Sequence, residues 1–64
     1  MNWERRIAVN LAQSYIAAAF NNDANYKEYL QKGISYIRYL DRSFSANSSW
    51  DVARLRVAEL RMVV

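Results

Sequence analysis

NYKEYLQKGISYIRYL, residues 25–40, holds four of the chain's five tyrosines and its only glycine. Within and just beyond it, Tyr26, Leu30, Gly33, Ile37, Leu40 and Phe44 recur at spacings of four, three, four, three and four. That rhythm belongs to a helix with one buried seam, and it predicts a helix over about residues 26–42. Gly33 lies on the seam. Glycine costs about 1 kcal/mol relative to alanine inside a helix, so its place there calls for another element close to the backbone. The candidates are a stripe of small residues upstream (Ala8, Ala12, Ala19) or the ring of Trp3 or Trp50. Tyr29 and Tyr36 lie seven apart on the flank of the seam, and Tyr39 points further round beside Lys32. An amphipathic tyrosine suits boundary packing, a protein interface or stacking on nucleic acid, and all three readings stay open for Tyr29 and Tyr36. Gln31, Ser35, Arg38 and Arg42 make the opposite, solvated face.

Upstream, residues 3–20 placed on a helical wheel give one continuous apolar arc of roughly 220°, running from Ile7 and Leu11 through the alanines to Ile16, Val9 and Phe20. A surface helix needs a stripe of about 100°, so this helix is expected to pack on two sides. The second side is assigned to another copy of the chain, with Val9, Ile16 and Phe20 at a dimer interface and Tyr29, Tyr36, Leu55 and Met62 at its edge. The alternative is a third helix covering that arc in a compact monomer. NNDAN, residues 21–25, breaks the helix and predicts an antiparallel hairpin, with Asn25 and Glu28 as a capping box.

Downstream, SFSANSS (43–49) is the second break, with Phe44 folded back onto the core and Ser48 with Asp51 as the start signal of a third helix over 50–63. Trp50, Ala53, Val57, Leu60 and Val64 keep the core spacing, while Leu55 and Met62 fall on another side and are expected at the surface. Glu28 with Lys32 and Arg38 with Asp41 are expected surface pairs.

The fold class is therefore all-α: a small three-helix domain, a helical hairpin plus a third helix, occupying residues 1–64 as a single unit. A chain of 64 residues buries only about 60% of the surface its unfolded form exposes. With no cysteine and no histidine it has neither disulfide nor zinc to brace it, which adds to the expectation of a homodimer.

The same composition bears on chemistry. Without histidine, cysteine or a glycine-rich phosphate loop, the expectation is no enzyme, no catalytic residues, no cofactor and no metal. The six carboxylates are accounted for by helix starts and local pairs. Arg5 and Arg6 ahead of an apolar stretch resemble the start of a signal peptide, but Asn10, Gln13 and Ser14 interrupt it, and no run approaches the ~20 apolar residues of a membrane span. The expectation is a cytoplasmic protein that does not enter membranes.

Three partial resemblances point to one kind of task. Leu11, Ala12, Tyr15 and Ala24 are similar to the first half of a tetratricopeptide unit, although the second half does not follow. AFNNDANYKEYL (19–30) resembles the hairpin of microtubule-interacting-and-transport domains, where small residues would stand in place of Tyr29 and Tyr36. LQKGISYIRYL (30–40) resembles the second helix of helix-loop-helix dimerisation domains, without their basic region. None assigns a family; each implies helices that bind another helix or peptide. The expected function is a small helical protein-interaction module: an adaptor, chaperone-like subunit or inhibitor of a larger protein partner. The alternative is a nucleic-acid-binding regulator using Arg38, Arg42, Arg54, Arg56 and Arg61, given seven arginines and two lysines against six carboxylates and a net charge of +3.

Overall fold

The computed structural model describes residues 3–62, in which three helices follow one another: α1 (Trp3–Phe20), α2 (Tyr26–Leu40) and α3 (Trp50–Met62). No strand occurs among the described residues. Residues 63 and 64, including the expected core position Val64, lie outside them.

The helix limits follow local chemistry. At the end of α1, the Asn21 N–H donates to the Ala17 and Ala18 carbonyls and its side-chain amide donates to Ala17 O at 3.1 Å, satisfying acceptors of the last turn. The expected capping box between Asn25 and Glu28 does not form, since Asn25 makes no side-chain cap. Asn22 organises the turn instead, its Oδ1 accepting the N–H groups of Ala24 and Asn25, both at 3.1 Å. Glu28 is left to pair with Lys32, Oε1 to Nζ 3.5 Å, as the spacing predicts.

Helix α2 ends at Leu40, two residues before the predicted limit, because Asp41 turns into an extended conformation (φ −142°, ψ 97°). Its carboxylate accepts both the Ser43 N–H (3.1 Å) and the Ser43 hydroxyl (2.6 Å). Its other oxygen lies 3.3 Å from Arg56 Nε on α3, so the expected Arg38–Asp41 pair is replaced by one that ties the loop to the third helix. Phe44 is buried under this clamp, with the Arg56 guanidinium 5.7 Å from its ring centre. Ser49, not Ser48, precedes the first turn of α3, its carbonyl accepting the Ala53 N–H at 3.0 Å.

The two hydrogen bonds from Ser43, with Arg56 as a smaller contributor, hold the Asp41 carboxyl below its ordinary pKa. A carboxyl depressed in the folded state favours folding when ionised, so its contribution is present above the unfolded pKa and disappears as pH falls through the folded one. Thermal melts at about pH 6 and about pH 3 are expected to show a larger acid loss for the parent chain than for Asp41→Asn, which cannot ionise. Equal losses would remove Asp41 as a contributor.

One core joins the three helices. Val9, Ala12 and Ile16 from α1 meet Ile34 and Ile37 from α2, Phe44 from the loop, and Ala53, Val57 and Leu60 from α3. Packing is most extensive between α1 and α2. There Gly33 is buried, and a Cβ built on it would stand 2.7 Å from Ile16 Cγ1 and 3.2 Å from the Ala12 carbonyl oxygen. The seam glycine thus marks a close helix approach, and Ala12 of the small-residue stripe supplies the backbone it admits. Tyr26, placed on the seam by its spacing, is exposed; Ile34, absent from that pattern, is buried.

Candidate functional site

The fate of the apolar arc on α1 decides which surfaces remain. Around the helix, the arc starts at Ile7 and Leu11, passes Ala8, Ala19 and Ala12, and ends at Ile16, Val9 and Phe20. Helix α2 covers the centre, where Ala8, Ala12 and Ala19 are buried. Helix α3 brings Val57 and Leu60 to the last third, so Val9 and Ile16 are each only 3% exposed within the single chain. These two residues, expected at a partner surface, are core residues, because the third helix docks on the side that was assigned to a second copy. Phe20 stays at the surface beside α3, its ring centre 4.6 Å from that of Trp50.

Among the described residues, the first third of the arc is only partly covered. Ile7 and Leu11 are exposed there, and Trp3, one turn earlier, is 65% exposed. With Tyr36 and Tyr39 of α2 they line an open apolar groove of about 390 Å³, edged by Glu4 and Ser35. The signal for this groove was present in the sequence as the spacing of Trp3, Ile7 and Leu11, every fourth residue on one edge.

Tyr29 and Tyr36 are half-buried on the same flank of the hairpin. Tyr15 of α1 stacks on both, at 6.3 Å from Tyr29 and 5.9 Å from Tyr36 between ring centres, with Lys32 Nζ 5.6 Å from the Tyr15 ring. Their seven-residue spacing leaves a slot that one ring from the opposite helix fills. The tyrosine row packs along the boundary of the hairpin, and Tyr36 also lines the groove.

A second surface runs between α1 and α3. Arg54 and Arg61, two turns apart on α3, line a cleft of about 350 Å³ with Gln13 and Phe20 of α1 at its other wall and Ile16 and Val57 at its floor. Arg61 donates a hydrogen bond to the Gln13 side chain, and the Arg54 guanidinium lies 5.2 Å from the Phe20 ring centre. Past Arg61 the groove continues to Arg6 and Asn10. Leu55 and Met62, 61% and 87% exposed, follow Arg54 and Arg61 on α3 as the sequence indicated.

The five arginines of the alternative reading are therefore not one patch. Arg54 and Arg61 share the cleft, Arg56 is engaged by Asp41 and by Glu59 at 2.9 Å, and Arg38 and Arg42 are exposed on α2 and the following loop. Among the described residues, no group of three or more metal-ligating side chains is present, and no helix is long and apolar enough to cross a membrane. Comparison with protein-family models, curated proteins and solved structures finds no match. The chain is defined by its architecture: a small all-α domain of three helices, with an apolar groove and an arginine-rimmed cleft on different sides of α1 among the described residues.

Proposed function

We propose that this chain is a small, non-enzymatic helical protein-interaction module that self-associates through the uncovered edge of α1. The observation that carries the reading is that Trp3, Ile7 and Leu11 remain exposed in one row after both other helices have packed. A row of large apolar side chains beside two tyrosines is the composition of a contact surface, not of a solvated one. Ile7 is 47% and Leu11 36% exposed, so burying what remains of them contributes about 0.5–1.5 kcal/mol each, with Trp3, at 65%, adding to it before the entropy of association is subtracted.

A two-fold, antiparallel meeting of two α1 helices is self-complementary. It sets Ile7 of one copy against Leu11 of the other and covers the Trp3–Ile7–Leu11 groove of each copy with one contact. The module would then act as an adaptor, chaperone-like subunit or inhibitor, holding a larger protein on the faces that self-association leaves open.

The test is the double variant Ile7→Asp/Leu11→Asp. Ile7 is 47% and Leu11 36% exposed, so helicity is checked by circular dichroism alongside, and the expected result is a chain that stays helical while the dimer seen by sedimentation at micromolar concentration is lost. An unchanged dimer in this variant would place the contact elsewhere, and a parent chain that is already monomeric would remove the reading.

A further inference from the structure

The cleft between α1 and α3 differs in kind from the apolar edge of α1. Its floor is aliphatic, but its rim carries Arg54 and Arg61, and no carboxylate is among the residues that line it. Among the described residues neither arginine takes part in an ion pair; Arg61 bonds to a neutral amide and Arg54 lies by an aromatic ring. Two guanidinium groups thus lie across an apolar floor against neutral groups of α1, with no carboxylate paired to either among the described residues.

Their spacing is informative. Seven residues along a helix is two turns, or about 10.5 Å at 1.5 Å per residue. Carboxylates at positions i and i+7 of a second helix repeat the same distance, so a helix laid along α3 meets both arginines at once, each able to bind a carboxylate through a two-pronged contact. Leu55 and Met62 repeat that interval one position further round α3, with Ala58 between the two rows. Met62 adapts its shape to what it meets. A charged row and an apolar row side by side read a ligand with an acidic flank and an apolar face.

We infer that the α1–α3 groove is a docking site for an acidic amphipathic helix of a partner protein, with Arg54 and Arg61 taking two carboxylates one heptad apart and Leu55, Ala58 and Met62 taking its apolar face. The occupant is not a second copy, because none of the chain's six carboxylates are seven residues apart. Nor does the groove suit a nucleic-acid strand. Its aromatic residue, Phe20, is already engaged by Trp50 and Arg54, where strand binding calls for open ring faces along a continuous basic track. The inference rests on the chain being a protein-interaction module and is independent of its self-association.

The probe is a capped helical peptide with two glutamates one heptad apart beside a leucine stripe, compared with the same peptide bearing lysines in their place. Fluorescence anisotropy of labelled peptides against the full chain is expected to show tighter binding of the glutamate form. Arg54→Glu/Arg61→Glu, which alters two exposed side chains and is checked for retained helicity, should weaken that binding by about tenfold or more and should now prefer the lysine peptide. Equal binding of the two peptides, no binding of either, or insensitivity to the charge reversal would overturn the inference. So would tighter binding of a single-stranded oligonucleotide with a steep salt dependence, which would assign the groove to phosphates. Sedimentation of the same samples reports self-association separately: a monomer that still selects the glutamate peptide upholds this docking site while removing the dimer.

Discussion

Gly33→Leu is expected to push α1 and α2 apart and to lower the stability of the chain despite its better helix propensity. The substitution raises intrinsic helix propensity by about 1 kcal/mol, so a helix judged alone would gain. The crossing reverses the sign. The first added carbon would stand 2.7 Å from Ile16 Cγ1 and 3.2 Å from the Ala12 carbonyl oxygen, and leucine adds three more carbons beyond it. Cγ1 is not the free end of the isoleucine, and the carbonyl moves only with its helix, so relief requires a wider hairpin. Overpacking commonly costs about 1–3 kcal/mol and more where backbone must shift. A domain of this size is stable by roughly 3–10 kcal/mol at ~0.05–0.15 kcal/mol per residue. Gly33→Ala is the milder form and is expected to lower the urea midpoint. In that background, Ile16→Ala should cost less than it does in the parent chain, because it removes the atom in conflict. A Gly33→Ala chain more stable than its parent would mean that the crossing has room to spare.

Ile37→Ala is the second large effect. Ile37 has no exposed surface and is the largest side chain so enclosed, in the cluster that joins α2 to Phe44 and α3. Truncating a buried isoleucine to alanine removes its transfer free energy and leaves a cavity, about 2–5 kcal/mol together. That is a large share of the total stability available to the chain. Val52→Ala on the outer side of α3 is the control: Val52 is exposed, and the loss there should be about 0.5 kcal/mol or less. Chemical denaturation of both variants under identical conditions decides. Similar losses at the two positions would mean that Ile37 does not sit at the centre of the core.

The expected result at Gly33 was legible before the structure, because a lone glycine inside a three–four repeat has a physical reason to be there. So were the limits of α1, the inward turn of Phe44, the core row Ala53, Val57 and Leu60, and the exposure of Leu55 and Met62. What periodicity could not convey was which part of the α1 arc the third helix would cover. The width of the arc follows from the sequence of α1 alone, but the position of α3 depends on the loop from Asp41 to Ser49. That loop is set by hydrogen bonds from Ser43 and the Arg56 contact, neither of which has a periodic signal. Val9 and Ile16 were accordingly given to a partner when they belong to the core, and the open edge at Trp3, Ile7 and Leu11 was passed over. Tyr26 and Ile34 also differ from the seam pattern. Tyr26 falls in the middle of the seam by angle but is the first residue of α2 and is exposed, whereas Ile34 lies about 60° round from Ile37 and is buried.

The charged contacts follow the same division. Glu28 and Lys32, neighbours on one helix, pair as their spacing requires. Asp41 is drawn away from Arg38 because Arg56 reaches it from a helix that no local rule could place beside it. The arginines of α3 show the functional consequence: identical in sequence character, Arg56 is neutralised by two carboxylates whereas Arg54 and Arg61 are held over an open cleft.

The central claim is that the uncovered edge of α1 is a contact surface, and the molecular weight of the unmodified chain in solution tests it most directly. Sedimentation equilibrium from low to high micromolar concentration is predicted to give a species of twice the 7.5 kDa chain mass, with a melting temperature that rises with concentration as folding and association are linked. A single 7.5 kDa species with a concentration-independent melting temperature would contradict it.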